Sequence, residues 1–255
     1  MALVSLAFEI AVQNPAGMRI AAEVGAARVE LAQALALGGL TPSRGMLESV
    51  LAAAGDDGPE VHVLIRPRAG GFRYGPDATE IMLRDVRDAV SAGAHGVVVG
   101  CQDATGALDD DALARIVDAA GAASVTLHRV IDVTPDPIAA LRTARRLGLR
   151  RVLTSGGASR AVDGVDVLRR LVAEADGRIE IMAGGGIDAQ TVARVAATGV
   201  DAVHFSAKRT VPADRAGEAV RLGSADDGGG GHEVTDRDTA RAIIAALDGA
   251  RTGAA

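Results

Sequence analysis

The chain has 255 residues, 48% hydrophobic and 24% charged, which suits one soluble domain of the size at which α/β barrels fold as single units. A net charge of −6 gives no electrostatic case for nucleic acid or an anionic membrane, and no run of about 20 apolar residues is present to span one. A lone cysteine, Cys101, excludes an internal disulfide and every metal motif built on paired cysteines.

The opening, "MALVSLAFEIAVQNP", is apolar, has no basic leader and contains Glu9. It reads as a first strand over 4–12 and not as a signal peptide, so a cytoplasmic protein is expected. Asn14-Pro15 is an N-cap followed by a proline at the first helical position. Further strands are expected near 27–32, 61–66, 96–100, 124–129, 150–155, 179–183 and 201–206, apolar along most of their length as strands buried on both faces should be. Asp136-Pro137 starts another helix, and Asp188 precedes one over 189–198. Thr235 with Asp238 resembles a shortened capping box ahead of a last helix at 236–248. The segment "GSADDGGGGHE" (223–233), with four consecutive glycines, predicts a flexible loop.

A short unit recurs in "EVGAARVEL", "SAGAHGVVV", "RLGLRRVLT" and "ATGVDAVHF": a helix end, a glycine, a hydrophobic residue, then a strand. Gly25, Gly93, Gly148 and Gly199 suit the left-handed position just past a helix. Eight such β/α units in about 250 residues predict a single-domain, closed (β/α)8 TIM barrel over 1–255. The alternative, a doubly wound open sheet, lacks its glycine fingerprint after "FEIAV".

In such a barrel the site forms at the carboxyl ends of the strands. Glu9, Arg28, Glu30, Arg66 and Arg68 come from the first three strands. The fifth ends "TLHRVID", with His128, Arg129 and Asp132; the sixth offers Thr154 and Ser155. "AGGGI" supplies Gly184, Gly185 and Gly186, and "VHFSAKR" supplies Ser206 and Lys208, the only lysine. Unpaired burial of this much charge costs several kcal/mol per group, so these residues must pair or meet a ligand. One arrangement is a salt-bridge network in which Glu9 and Glu30 neutralise Arg28, Arg66 and Arg68. The other is an anion pocket. There, Arg66 and Arg68 bind an anionic group with bidentate hydrogen bonds. Arg129, Ser155, the 184–186 glycines, Ser206 and Lys208 complete it. His128 is the expected acid–base group, with Asp132 to orient it and Glu30 as partner. Glu9 joins them in the catalytic set. His62 and His204 are read as structural and His95 and His232 as loop residues. Schiff-base chemistry at Lys208 is the rival to anion binding there.

The motifs "RVELAQALALGGLTPSRGML", "HVLIRPRAGGFRY", "VTLHRVID", "RVLTSGG", "IMAGGG" and "VHFSAKR" resemble the CutC family, the copper homeostasis proteins, over roughly 6–222. The resemblance implies a cytoplasmic single-domain (β/α)8 barrel, and copper as the bound metal. Copper(I) binding in the family leans on cysteines near the ends of the first two strands. This sequence has Ala11, Val12 and Ala32 there, leaving Cys101 as the one thiol candidate and Met182 as the nearest thioether. Gly71 also stands where relatives often carry an acidic residue. The retained positions are those of an anion pocket. The expected partner is therefore a small anionic molecule, with self-association as a homo-oligomer left open. The alternative is a copper(I)-buffering protein without catalysis.

Overall fold

The computed structural model describes residues 6–212 and 231–252. Eight parallel strands close on themselves: β1 (Ala7–Val12), β2 (Arg28–Leu31), β3 (Glu60–Leu64), β4 (Gly96–Val99), β5 (Ser124–Leu127), β6 (Arg151–Thr154), β7 (Glu180–Gly184) and β8 (Ala202–Phe205). Closure is set by β1, which pairs with β2 on one side and β8 on the other. The helices are α1 (Pro15–Glu23), α2 (Arg44–Ala54), α3 (Pro76–Ser91), α4 (Asp110–Ala120), α5 (Pro137–Arg146), α6 (Val165–Ala175), α7 (Val192–Ala196) and α8 (Arg237–Thr252). This is the (β/α)8 barrel that the repeated helix–Gly–strand unit predicts, and all four of its glycines have positive φ.

Strand alternation divides the barrel into two environments. One parity (Ile10, Val12, Val29, Leu31, Val61, Val63, Val97, Val99) packs outward against the helices in one continuous core. The other carries Glu9, Arg28, Glu30, His62, Thr126, His128, Arg151 and His204 at the inward positions. All but His204 are at most 8% exposed. A barrel interior is ordinarily filled by branched apolar side chains. Here much of it is ionic.

Local sequence explains the helix starts. Asn14 Oδ1 accepts the Gly17 N–H at 2.9 Å, and Asp136 Oδ1 accepts those of Ile138 and Ala139 at 2.9 and 3.0 Å, each just ahead of a proline. Three expectations need correction. The helix expected over 189–198 shrinks to α7, because the Asp188 carboxylate first folds the chain back, accepting the N–H groups of Gln190 and Thr191. Thr235 is not a cap. It lies in a small antiparallel pair, β9 (Lys208–Val211) with β10 (His232–Thr235), and Asp236 caps α8 by accepting the Thr239 N–H at 2.9 Å. Of the loop expected at 223–233, residues 223–230 lie outside the described residues, while His232 and Glu233 are strand.

The cap assignment is testable. Asp236→Ala should destabilise by about 1 kcal/mol, losing the cap and the Arg209 ion pair, and Thr235→Ala by less than about 0.5 kcal/mol. Denaturant midpoints measure both, and the reverse order would restore Thr235 as the cap.

Candidate functional site

The ionic interior begins with Glu9, which is fully buried. Its Oε2 accepts from Arg28 Nε at 3.2 Å and its Oε1 from His204 Nδ1 at 2.8 Å. Burial alone would raise its pKa, but the His204 hydrogen bond and the charges of His204, His62 and Arg28 outweigh it, holding the carboxyl at about 2. One layer nearer the strand ends, Glu30 Oε2 lies 3.8 Å from His204 Nε2 and makes no hydrogen bond among the described residues. Burial, reinforced by Glu9, pushes Glu30 up to about 7 even though His204 pulls the other way. His204 loses basicity to burial but regains more from the Glu9 hydrogen bond and the two carboxylates, so its pKa is raised. At neutral pH Glu9 is therefore a carboxylate and Glu30 is close to half-protonated, while His204 between them is biased toward its charged form.

Above it opens a cavity of about 490 Å³ at the carboxyl ends of the strands. Of the expected site residues, Glu30, Arg66, His128, Arg129, Asp132, Gly185, Gly186, Ser206 and Lys208 line it. Glu9, Arg68, Ser155 and Gly184 do not. The two arginines of "RPR" part company. Arg66 is buried, and its fork is spent on backbone: Nη1 donates to the Leu37 and Gly39 carbonyls and Nη2 to that of Gly70, at 2.8–2.9 Å. Its Nε has no partner, and Phe72 lies 5.4 Å beneath it. Arg68 turns to the surface, stacks on Tyr74 at 4.9 Å and binds the carbonyls of its own loop. Neither reaches Glu9 or Glu30, so both the shared bidentate anion grip and the Glu–Arg network expected for this pair give way to backbone carbonyls.

His128 directly follows β5, beside Gly100, whose missing side chain leaves room for the ring; a Cβ there would collide with it. Its Nδ1 accepts the Val130 N–H at 3.0 Å. That fixes the proton on Nε2, which is buried with no partner. Burial, with Arg66 adding its charge, lowers His128 to about 3, so the ring stays neutral at physiological pH. It is placed to donate a hydrogen bond and not to shuttle protons at neutrality. Asp132 does not orient it. That carboxylate instead accepts from Arg129 Nε, Thr154 Oγ1, Ser155 N–H and Oγ, and Gly157 N–H at 2.6–3.1 Å. Ser155 Oγ in turn accepts from Arg129 Nη2 at 2.7 Å. Asp132 and Ser155 thus form a bracket that holds the Arg129 guanidinium at the cavity wall.

Gly185 and Gly186 have φ of 111° and 62°, which only glycine adopts without strain. A Cβ on Gly185 would also lie 3.0 Å from Arg129 Nη1. The N–H groups of Gly186 and Ile187 make no hydrogen bond among the described residues, leaving two donors near Arg129. Lys208 pairs with Glu233 at 2.6 Å and is half exposed, which leaves it without the desolvation that Schiff-base chemistry needs.

His204, read from sequence as structural, is the main residue missed. Its signal was parity: Ser206 at the mouth places His204, two residues earlier, on the same inward face. A second hollow of about 570 Å³ lies outside the barrel mouth, between the loops that follow β4 and β5 and the starts of α4 and α5. Its carboxylates serve as helix caps (Asp109, Asp136), a turn brace (Asp103) and an Arg146 partner (Asp110). The copper that the resemblance implies meets no fitting donor set. Cys101 is sealed in the outer core, where burial and Asp109 push its thiol up to about 12. Met182 Sδ faces the Arg28 guanidinium inside the barrel at 3.9 Å. No group of three or more His, Cys, Asp or Glu able to hold a metal occurs among the described residues.

Two outcomes follow from this geometry. Arg66→Met should cost roughly 3 kcal/mol, because three carbonyls lose a charged donor, whereas Arg68→Ala should cost about 1 kcal/mol or less. Equal losses in denaturant titrations would contradict the division of labour. Between pH 4.5 and 7 the unfolded chain ionises Glu30 while the folded chain keeps it protonated, so this group lowers stability as pH rises. Glu30→Gln should therefore be more stable than the parent at pH 8, by up to about 3 kcal/mol, with the gain vanishing near pH 4. A gain independent of pH would mean that Glu30 is not raised.

Comparison with known proteins fits this architecture. The CutC family profile matches residues 6–209. A CutC protein of Xylella fastidiosa (strain Temecula1) is 40% identical over 245 residues, covering 96% of this chain and 90% of the relative. One from Sinorhizobium medicae is 42% identical over 207 residues, covering 81% and 83%. Among solved structures, CutC from Streptococcus agalactiae matches with a TM-score of 0.75 at 29% identity, covering 79% of this chain and 98% of that one. An aldolase designated QR15 matches at 0.59 with 20% identity, over 81% and 92%, a likeness of fold alone. With a profile spanning most of its length and relatives at about 40% identity across nearly all of it, this chain belongs to the CutC family.

Proposed function

We propose that the strand-end cavity is an enzyme-type site for a small metabolite bearing a phosphate or carboxylate group. The observation that carries this reading is Arg66: a buried guanidinium at the cavity wall with no carboxylate partner among the described residues. Carbonyl dipoles satisfy its N–H groups, but they do not cancel its charge. The other ionic groups of the wall are balanced locally, Arg129 by Asp132 and Lys208 by Glu233. An anion in the cavity restores neutrality. The N–H groups of Gly186 and Ile187, unpartnered among the described residues, supply directional contacts, and Leu35, Leu64, Leu153 and Phe205 offer apolar walls for a short carbon skeleton.

Copper homeostasis, for which the Streptococcus agalactiae protein is named, comes to this chain as a role exercised through such a ligand and not through metal held by Cys101. Competition with a Cu(I) chelator should find parent and Cys101→Ser alike. A high-affinity site lost in the variant would favour metal buffering instead.

Thermal unfolding with added phosphate, sulfate or citrate tests the anion reading. An anion at about ten times its dissociation constant should stabilise by about 1.4 kcal/mol, or roughly 3–6 °C. Arg129→Ala should lose more than half of that gain. Equal gains in both proteins, or none in either, would refute the site.

A further inference from the structure

We propose that the cavity enolises its ligand: Glu30 takes a proton from a carbon next to a carbonyl group, and His128 Nε2–H hydrogen-bonds the carbonyl oxygen. The proposal rests on the anion-site reading, and it narrows the ligand to a small carbonyl compound carrying a phosphate or carboxylate.

The two groups stand in different states for a structural reason. The His128 tautomer is settled by backbone, because Nδ1 is occupied by the Val130 N–H and only Nε2 can carry the proton. That N–H is buried and unpartnered in a residue lining the cavity, so an oxygen acceptor is what it lacks. A neutral imidazole N–H is weakly acidic, as an enol is, so it can hydrogen-bond an enolate oxygen without giving up its proton. Glu30 lines the same cavity and is tied down by no hydrogen bond among the described residues. With its pKa near 7 it is a base strong enough to accept a proton from carbon and weak enough to return it. His204 steadies the carboxylate form of Glu30 from 3.8 Å and is itself anchored by Glu9, so Glu9 and His204 are positioning residues.

The step balances without a co-reactant. The C–H bond breaks, its proton goes to Glu30, and its electron pair forms the C=C bond of the enolate as the carbonyl π pair moves onto oxygen. Return of the proton to the same carbon regenerates the carbonyl compound. In heavy water the returning ion is a deuteron, so exchange of the hydrogen next to the carbonyl reports the step directly.

The full chain is incubated in D2O with dihydroxyacetone phosphate, and separately with 2-oxobutyrate, at about 10 mM each. Loss of the C–H proton signal is followed by NMR, with thermal shift measured on the same samples. With at least one probe, exchange should run about 100-fold faster than in buffer. Its rate should rise with pH through about 7 as Glu30 ionises. Glu30→Gln should lose most of the acceleration while keeping the thermal shift, a combination that a purely structural Glu30 would not produce. His128→Ala should lose at least 10-fold without moving the pH midpoint. Exchange surviving in Glu30→Gln, or stabilisation by phosphate or a probe with no exchange beyond buffer, overturns enolisation and leaves anion binding standing. If neither phosphate nor either probe raises the melting temperature, both readings fail together.

Discussion

The arrangement of the site depends on one buried carboxylate. Glu9 sits inside the barrel where an unpaired charge would cost several kcal/mol, and it is neutralised from two neighbouring strands at once, by Arg28 of β2 and His204 of β8. Those strands flank β1 at the closing seam of the barrel. The pairing therefore joins closure of the sheet to construction of the site. In the next layer burial raises Glu30 toward neutrality, with His204 opposing the shift and the Glu9 charge adding a smaller push.

The mouth of the barrel shows the same economy in its cations. Arg129 is clamped by Asp132 and Ser155, Lys208 by Glu233, and Arg66 by three carbonyls, so each is held in place before any ligand arrives. Of these three, only Arg66 has no counter-charge among the described residues. Its influence reaches His128, where it adds to burial in keeping the imidazole neutral. The uncompensated Arg66 charge and the neutral state of His128 are thus linked. Preorganisation of this kind is what gives polar groups in a partly dry site their effect on a reacting molecule.

Membership of the CutC family frames the metal question in terms of donor chemistry. Copper(I) favours thiolate and thioether ligands in reach of one another. Here the single thiol packs outside the barrel and the nearest candidate thioether lies inside it beside a guanidinium. At the ends of the first two strands stand Ala11, Val12 and Ala32, none of which offers a soft donor. The polar residues that this chain keeps are instead those that surround its cavity.

Much of the fold was legible in the residues themselves. Glycine after a helix, Asn-Pro and Asp-Pro at helix starts, and apolar strands are local signals, since backbone conformation and capping act over a few neighbours. They determine eight β/α units, and hence the end of the barrel on which the site lies. Where competing local signals met, as at Asp188 and at Thr235-Asp236, boundaries moved, because a side chain that folds a turn competes with the helix it would cap. The site was legible only as a list of polar strand ends. Parity along β8 was enough to turn His204 inward, yet its partner Glu9 lies 195 residues away. Which cation meets which carboxylate, why Arg66 and Arg68 diverge, and which tautomer His128 holds depend on contacts between strands far apart in the chain. Tertiary structure decided them, because the free energy of a buried charge belongs to its surroundings and not to its neighbours in sequence.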